Sequence, residues 1–222
     1  MICLVTDRRR LSPGAAANDA ADRLVELVAA AAIAGVGLIQ IRERDLGARD
    51  LTSLARRCVD AVRGTDTKVV VNDRADVALA AGAHGVHLRS DSVDATTVRR
   101  LLPPGAIVGR SVHGLVEVEA VARAGGVDYL VLGTLFQTPS KDPAHRLTTL
   151  DDLEAACRST AVPVLAIGGM TVQRAAAVAR AGAGGLAAIG LFIPAAGCSP
   201  RDHFHAIMAA LGRAFDTCGA VP

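Results

Sequence analysis

Short apolar runs alternate along this chain with longer amphipathic segments rich in Ala, Leu and Arg. Because most of the short runs are almost continuously apolar, they are typical of parallel strands that are buried on both faces. The predicted strands are Ile2–Val5, Leu38–Arg42, Lys68–Val71, Gly85–Leu88, Ile107–Arg110, Tyr129–Leu132, Pro163–Ala166 and Gly184–Ala188.

The amphipathic segments between these runs predict helices. Thr149 and Thr171 are suited to cap two of them at the N-terminus. Repeated Ala-Gly phrases, such as Ala81–Gly82, directly precede strands and indicate helix ends that need glycine at positive φ. The predicted helices are Asn18–Ala34, Ala48–Val62, Ala75–Ala81, Asp94–Leu101, Val116–Ala124, Leu150–Ser159, Val172–Ala181 and Pro200–Phe215.

Strict alternation of strand and helix predicts a parallel sheet, and eight such pairs in 222 residues predict a closed barrel. We therefore expect residues 1–222 to form a single α/β domain, a (β/α)8 TIM barrel. An open, doubly wound sheet is the alternative. It is disfavoured because no G-x-G-x-x-G motif follows the first strand.

Composition narrows the class of protein. The net charge is only +2, and no basic run is interleaved with aromatic residues, so we expect no nucleic-acid partner. The short basic run Arg8–Arg10 is interpreted as a solvated loop that can also reach an anionic ligand.

Five scattered cysteines without C-x-x-C spacing are typical of reduced thiols. The apolar runs are too short for a membrane helix, and Met1 is not followed by the apolar region of a signal peptide. We expect a cytoplasmic protein with no membrane partner. The Ala-rich outer helices would suit a homo-oligomer.

Polar residues and glycines gather where the predicted strands end, which is where barrels of this class hold their active sites. Glycines after the seventh and eighth strands predict a phosphate site, although tight turns alone also explain them. We therefore expect a small phosphorylated substrate. The candidate residues are Gln40, Arg42, Arg44, Asn72, Asp73, Asp91, Ser111, His113, Thr138, Ser140, Lys141, Gly168, Gly169 and Gly190.

Several of these positions carry more than one interpretation. Arg42 and Arg44 present forked donors for phosphate, pyrophosphate or carboxylate, but part of this cluster can pair internally with Glu43. Asp73 is suited to bind magnesium or substrate, or to cap the next helix.

Two histidines and a lysine have different expected roles. His113 is a candidate for proton transfer, although a single histidine is more often structural. His87, inside an apolar run, is interpreted as a hydrogen-bonded structural residue. Lys141 is expected to close over an anion from a mobile loop.

In order, these strand-end phrases resemble the thiamin phosphate synthase/TenI superfamily over nearly the whole chain. They are Leu4–Asp7, Gln40–Arg44, Val71–Arg74, Gly85–Leu88, Gly109–His113, Asp128–Tyr129 with Gly133, Thr138–Lys141 and Ala166–Thr171.

The resemblance implies one of two activities. A synthase joins an aminopyrimidine pyrophosphate to a thiazole phosphate with Mg²⁺ and releases pyrophosphate. A TenI-like tautomerase aromatises a thiazole phosphate carboxylate by moving a proton and needs no cofactor. In a synthase, Gln40, Arg42, Arg44 and Asn72 would face pyrimidine and pyrophosphate, Asp73 would bind magnesium, and Ser111 and Lys141 would contact pyrophosphate. In either case Gly168, Gly169 and Gly190 would hold the thiazole phosphate.

This chain departs from the synthase pattern, and these departures decide which of the two activities we prefer. Synthases continue after His87–Leu88 with Gly-Gln-acid-Asp, whose last Asp binds magnesium; here the residues are Arg89-Ser90-Asp91-Ser92. Asp91, one position before Ser92, is the acid that would have to bind magnesium in place of the missing aspartate. Arg44 replaces a lysine and keeps its charge.

We therefore favour the tautomerase, with His113 as acid–base catalyst and Arg42 and Arg44 on the carboxylate. The synthase is the alternative, with Asp73 and Asp91 on magnesium. Two further alternatives are a non-catalytic ligand-binding regulator and an isomerase built on a different phosphate-binding barrel.

Overall fold

A computed structural model describes residues 1–138 and 147–216. Eight parallel strands follow one another around a closed barrel, and β8 pairs with β1 to complete it. This architecture confirms the predicted (β/α)8 TIM barrel. The strands are β1 (Ile2–Val5), β2 (Leu38–Ile41), β3 (Lys68–Asn72), β4 (Gly85–Leu88), β5 (Ile107–Val112), β6 (Tyr129–Gly133), β7 (Val164–Ile167) and β8 (Gly185–Ala188).

The eight predicted helices are present, with ends shifted by at most a few residues. Thr149 and Thr171 accept hydrogen bonds from backbone N–H groups and cap α7 and α8, as predicted. A short helix, α1, was not predicted. The helices are α1 (Arg8–Leu11), α2 (Ala17–Ile33), α3 (Ala48–Ala61), α4 (Ala75–Ala81), α5 (Ala95–Arg99), α6 (Leu115–Ala124), α7 (Leu150–Ser159), α8 (Val172–Arg180) and α9 (Pro200–Asp216), with a 3₁₀ turn at Gly190–Phe192.

Apolar side chains pack on both faces of the barrel wall. Between strands and helices, small residues such as Ala31, Ala55 and Ala156 are fully buried, and they let the helices approach the strands closely. A second cluster fills the barrel interior, where Tyr129 is the one aromatic member. None of the helices in the described part of the chain is long and apolar enough to cross a membrane.

The interior becomes polar toward the carboxyl ends of the strands. Side chains alternate between the two faces of a strand, so Gln40 follows the apolar interior residue Leu38 on the same face. In the strand register, Asn72 lies beside His87, and His87 lies beside Gly109. The barrel interior therefore has an apolar layer, followed by a polar layer nearer the carboxyl ends of the strands.

Candidate active site

A cavity of about 700 Å³ opens at the carboxyl ends of the strands. It contains most of the predicted site residues. Asp73 instead lines a smaller neighbouring pocket, which shares Arg44, Asn72 and Arg89 with the surroundings of the main cavity. Ser140 and Lys141 lie outside the described residues. The predicted residues that line the main cavity are Gln40, Arg42, Arg44, Asn72, Asp91, Ser111, His113, Thr138, Gly168, Gly169 and Gly190.

Two amide side chains meet on neighbouring strands of the cavity floor. The Nε2 of Gln40 donates a hydrogen bond of 2.9 Å to Oδ1 of Asn72. This contact leaves the carbonyl oxygen of Gln40 and the NH₂ group of Asn72 available to a ligand. Together they offer one acceptor and a donor group, which suits a planar heterocycle with both kinds of group on its edge.

His87 is buried between two hydroxyl groups. Its Nδ1 lies 2.9 Å from the Tyr129 hydroxyl, and its Nε2 lies 2.9 Å from Oγ of Ser111. Burial, aided by the charge of Arg42, lowers the pKa of His87 to about 3, so the ring is neutral. A neutral imidazole has one donor and one acceptor nitrogen, so it connects Tyr129 to Ser111 at the cavity floor. The predicted structural role of His87 agrees with these contacts.

His113 is exposed at the rim of the cavity, just beyond β5. Its Nδ1 lies 2.9 Å from the carbonyl oxygen of Gly133. A carbonyl oxygen only accepts hydrogen bonds, so Nδ1 carries the proton. In the neutral ring, Nε2 is then the basic nitrogen. The geometry therefore leaves His113 able to accept a proton.

Two arginines after β2 form the cationic side of the cavity. Within the described residues, the guanidinium groups of Arg42 and Arg44 have no ion-pair partner, whereas those of Arg8 and Arg89 do. Burial lowers the pKa of Arg42, and the charges of Arg44 and Arg89 lower it further. A half-buried, unpaired guanidinium is stabilised when an anion binds beside it.

Glu43 does not pair with Arg42 or Arg44, contrary to one of the sequence interpretations. Its carboxylate accepts hydrogen bonds from the Thr6 hydroxyl at 2.7 Å and from the Arg8 guanidinium at 2.9 Å. Arg8 also contacts Asp45 and holds the pKa of that carboxyl at about 2. The interpretation of Arg8 as part of a solvated loop is therefore wrong, because this arginine is buried against two carboxylates.

The glycine loop after β7 brings backbone close to its neighbours. Gly168 and Gly169 both have positive φ, and a Cβ on Gly168 would lie 2.4 Å from Cγ2 of Thr134. Both positions therefore need glycine. The loop leads into the N-terminus of α8, where free N–H groups favour an anion.

Arg10 is a cavity residue that the sequence interpretation did not single out. Its Nη2 would lie 3.1 Å from a Cβ built on Gly190, so the guanidinium reaches the second glycine loop. Among the described residues, no carboxylate forms an ion pair with the Arg10 side chain. The signal was present in the sequence as a basic run directly after a strand.

The two candidate magnesium ligands are both engaged by neighbouring side chains. Asp73 accepts a hydrogen bond from the Ser92 hydroxyl, and Asp91 lies 2.5 Å from Nη2 of Arg89. In the described part of the chain, no three His, Cys, Asp or Glu side chains form a group able to hold a metal ion. As arranged here, these residues do not fit a magnesium ion. Asp73 does not cap α4 either, because Arg74 occupies the N-cap position.

Comparison with known proteins agrees with the fold. The family model described as thiamine monophosphate synthase matches residues 3–192. A protein named thiamine-phosphate synthase from Roseiflexus sp. (strain RS-1) is 38% identical over 97% of this chain and 87% of its own length. A protein of the same name from Roseiflexus castenholzii is 40% identical over 88% of this chain and 82% of its own.

The solved structure of a thiamine phosphate pyrophosphorylase from Pyrococcus furiosus superposes with a TM-score of 0.79 at 28% identity. The match covers 98% of this chain and 96% of that one. The superfamily assigned from the strand-end phrases is therefore confirmed. This chain belongs to the thiamine monophosphate synthase family, a family of thiamine-biosynthesis enzymes.

Proposed function

We propose that this protein is a thiamin-phosphate synthase that joins an aminopyrimidine pyrophosphate to a thiazole phosphate. The observation that carries the proposal is that two groups of potential anion-binding donors, at the ends of different strands, line one cavity. Unpaired Arg42 and Arg44 follow β2, whereas the glycine loops and Arg10 gather around the ends of β7 and β8. Two regions of this kind suit a reaction between two phosphorylated substrates better than the rearrangement of one.

In this proposal, the amide pair of Gln40 and Asn72 binds the edge of the pyrimidine. Arg42 and Arg44 bind its pyrophosphate. As the bond between pyrimidine and pyrophosphate breaks, negative charge develops on the leaving oxygen, and fixed guanidinium groups stabilise it. The Ser111 hydroxyl, held by its contact with His87, would donate to the same leaving group.

The thiazole phosphate takes the other region. Backbone N–H groups of Gly168, Gly169 and Gly190 would surround its phosphate, with Arg10 neutralising part of the charge. Thr138, Ser140 and Lys141 remain predicted contacts to substrate, and the last two lie outside the described residues.

The tautomerase, which the sequence alone favoured, is the second candidate. It is supported by His113, whose Nε2 is the basic nitrogen at the cavity rim. The comparisons do not confirm this finer prediction, and the names of the relatives point to the synthase instead.

A paired assay of the purified protein tests both candidates. Thiamin phosphate formation is measured with both synthase substrates, and aromatisation of the thiazole phosphate carboxylate is measured separately, each for wild type, Arg42→Gln and His113→Ala. The proposal expects synthase turnover that falls at least about 100-fold in Arg42→Gln, since a charged hydrogen bond contributes roughly 1.5–3 kcal/mol and the transition state adds to it. Aromatisation without synthase turnover, abolished by His113→Ala, would replace the proposal with the tautomerase.

A further inference from the structure

The turn after β4 places an arginine between the two candidate magnesium ligands. Nη2 of Arg89 lies 2.5 Å from Oδ2 of Asp91, and its Nη1 lies 3.8 Å from Oδ2 of Asp73. Both acids therefore share one guanidinium. The positive charge beside Asp73 is that of the Arg89 guanidinium.

The contacts within this turn hold Arg89 in place. Ser92, which stands at the position of the family's metal ligand, accepts a hydrogen bond from the Arg89 backbone N–H at 2.9 Å and donates one to Asp73. Asp73 adopts φ of 59°, and its own N–H donates to the carbonyl of His87. The carboxylate of Asp73 is thus directed toward the turn.

A buried arginine on the neighbouring strand fixes the same turn. The Arg110 guanidinium donates hydrogen bonds to the carbonyl oxygens of Ser90, Ser92 and Val93 at 2.8–2.9 Å. Three backbone contacts from one rigid, planar group leave the turn little freedom to rearrange. The fold therefore fixes the turn that carries Arg89, while the exposed Arg89 side chain itself is held by its pairing with Asp91.

The charge of Arg89 acts inside the main cavity. Four arginines and two aspartates of the described residues line that cavity, which leaves it with an excess of positive charge. Arg89 is among the groups that lower the pKa of Arg42, so the two guanidinium groups are close enough to repel each other. An anion with several negative oxygens, bound between them, would relieve that repulsion.

We propose that Arg89 replaces the divalent cation in this protein, so that a pyrophosphate group binds through guanidinium groups without magnesium. The proposal rests on the proposed function for the identity of the anion. It concerns a residue that departs from the family pattern, because synthases have glycine where this chain has Arg89 and aspartate where it has Ser92.

The test is calorimetric binding of inorganic pyrophosphate in EDTA and, separately, with excess Mg²⁺. For wild type we expect binding in EDTA, with an affinity that changes less than about threefold when Mg²⁺ is added. Arg89→Ala should weaken binding in EDTA by about tenfold or more, the loss expected for a charged hydrogen bond. Arg63→Ala is the matched control, since Arg63 is also an exposed arginine paired with an aspartate, and it should leave binding unchanged.

A second variant reverses the substitution. Arg89→Gly combined with Ser92→Asp restores the two family residues, and its pyrophosphate affinity should rise at least about tenfold on addition of Mg²⁺. Wild-type binding that requires Mg²⁺, or binding in EDTA that is equal in wild type and Arg89→Ala, would overturn the proposal. Synthase turnover accompanied by strictly Mg²⁺-dependent pyrophosphate binding would sink this inference and keep the proposed function. Arg89-dependent pyrophosphate binding in EDTA without synthase turnover would support this inference and contradict the proposed function.

Discussion

The Nε2 atom of His87 lies 2.9 Å from the hydroxyl oxygen of Ser111, and this contact joins the buried interior of the barrel to the floor of the cavity. The ring is neutral because burial lowers its pKa to about 3, far below the ordinary histidine pKa of about 6.5. A protonated ring would be unable to accept a hydrogen bond from either hydroxyl. The contact therefore has a consequence for stability as well as for the site.

His87 should make the protein less stable as the pH falls from 7 to 5. In this range the unfolded chain takes up a proton on the histidine while the folded protein does not, so stability is present above pH 6.5 and lost below it. A pKa difference of this size gives a loss of roughly 2 kcal/mol by pH 5. Urea unfolding of wild type and His87→Asn at both pH values measures it. Because other groups titrate equally in the two proteins, an identical pH slope would contradict the assignment.

Tyr129 and Gly109 show how tightly the interior is packed. A Cβ on Gly109 would lie 2.0 Å from Cζ of the Tyr129 ring, so Gly109→Ala should destabilise the protein by about 2 kcal/mol or more. In the double variant that also carries Tyr129→Leu, the loss of stability should be smaller than the sum of the losses in the two single variants. Gly37→Ala is the control, since its Cβ would meet nothing closer than 3.9 Å. Thermal unfolding of the four variants measures these losses. If the loss in the double variant equals the sum of the two single losses, the clash is contradicted.

The strands and the inward alternation were predictable because they depend on local pattern. Nearly continuous apolar runs marked most of the strands, and the alternation of Gln40 and Arg42 placed both in the cavity. Strand β5 extends to Val112, beyond its predicted end at Arg110, because Ser111 and Val112 continue to pair with β6. Such extensions depend on the neighbouring strand and leave no mark in the strand's own sequence.

Contacts between distant segments account for what the sequence did not predict. Helix α1 has no amphipathic pattern; it forms because Asp7 caps it and because Arg8 is buried against Glu43 and Asp45, which follow β2. The pairing of Arg89 with Asp73 likewise depends on a turn that Arg110 holds from the next strand. Sequence pattern located the residues but not their partners.

The buried ion pair of Arg8 gives a third prediction. Arg8→Met should destabilise the protein by about 3 kcal/mol or more, since it leaves the Glu43 carboxylate buried without its cation. Adding Glu43→Gln should recover part of that loss.

The pKa of Asp45 is held at about 2 by Arg8, so the stability this carboxylate contributes is present above its unfolded pKa and is lost as the pH falls toward 2. Urea unfolding at pH 7 and pH 3 measures both effects, and a variant as stable as wild type at pH 7 would contradict them.

The approach of Arg10 to Gly190 predicts which arginine of the basic run binds ligand. Arg10 lines the cavity at the second glycine loop, whereas the neighbouring Arg9 is exposed and paired with Asp45. Loss of a charged hydrogen bond to phosphate should weaken binding of the thiazole phosphate about tenfold in Arg10→Ala, while Arg9→Ala should bind as wild type does. Calorimetric titration with the thiazole phosphate measures this independently of turnover, so it holds for either candidate activity. Equal affinities in both variants would mean that the glycine loops hold the phosphate without Arg10, because the backbone N–H groups would then be sufficient on their own.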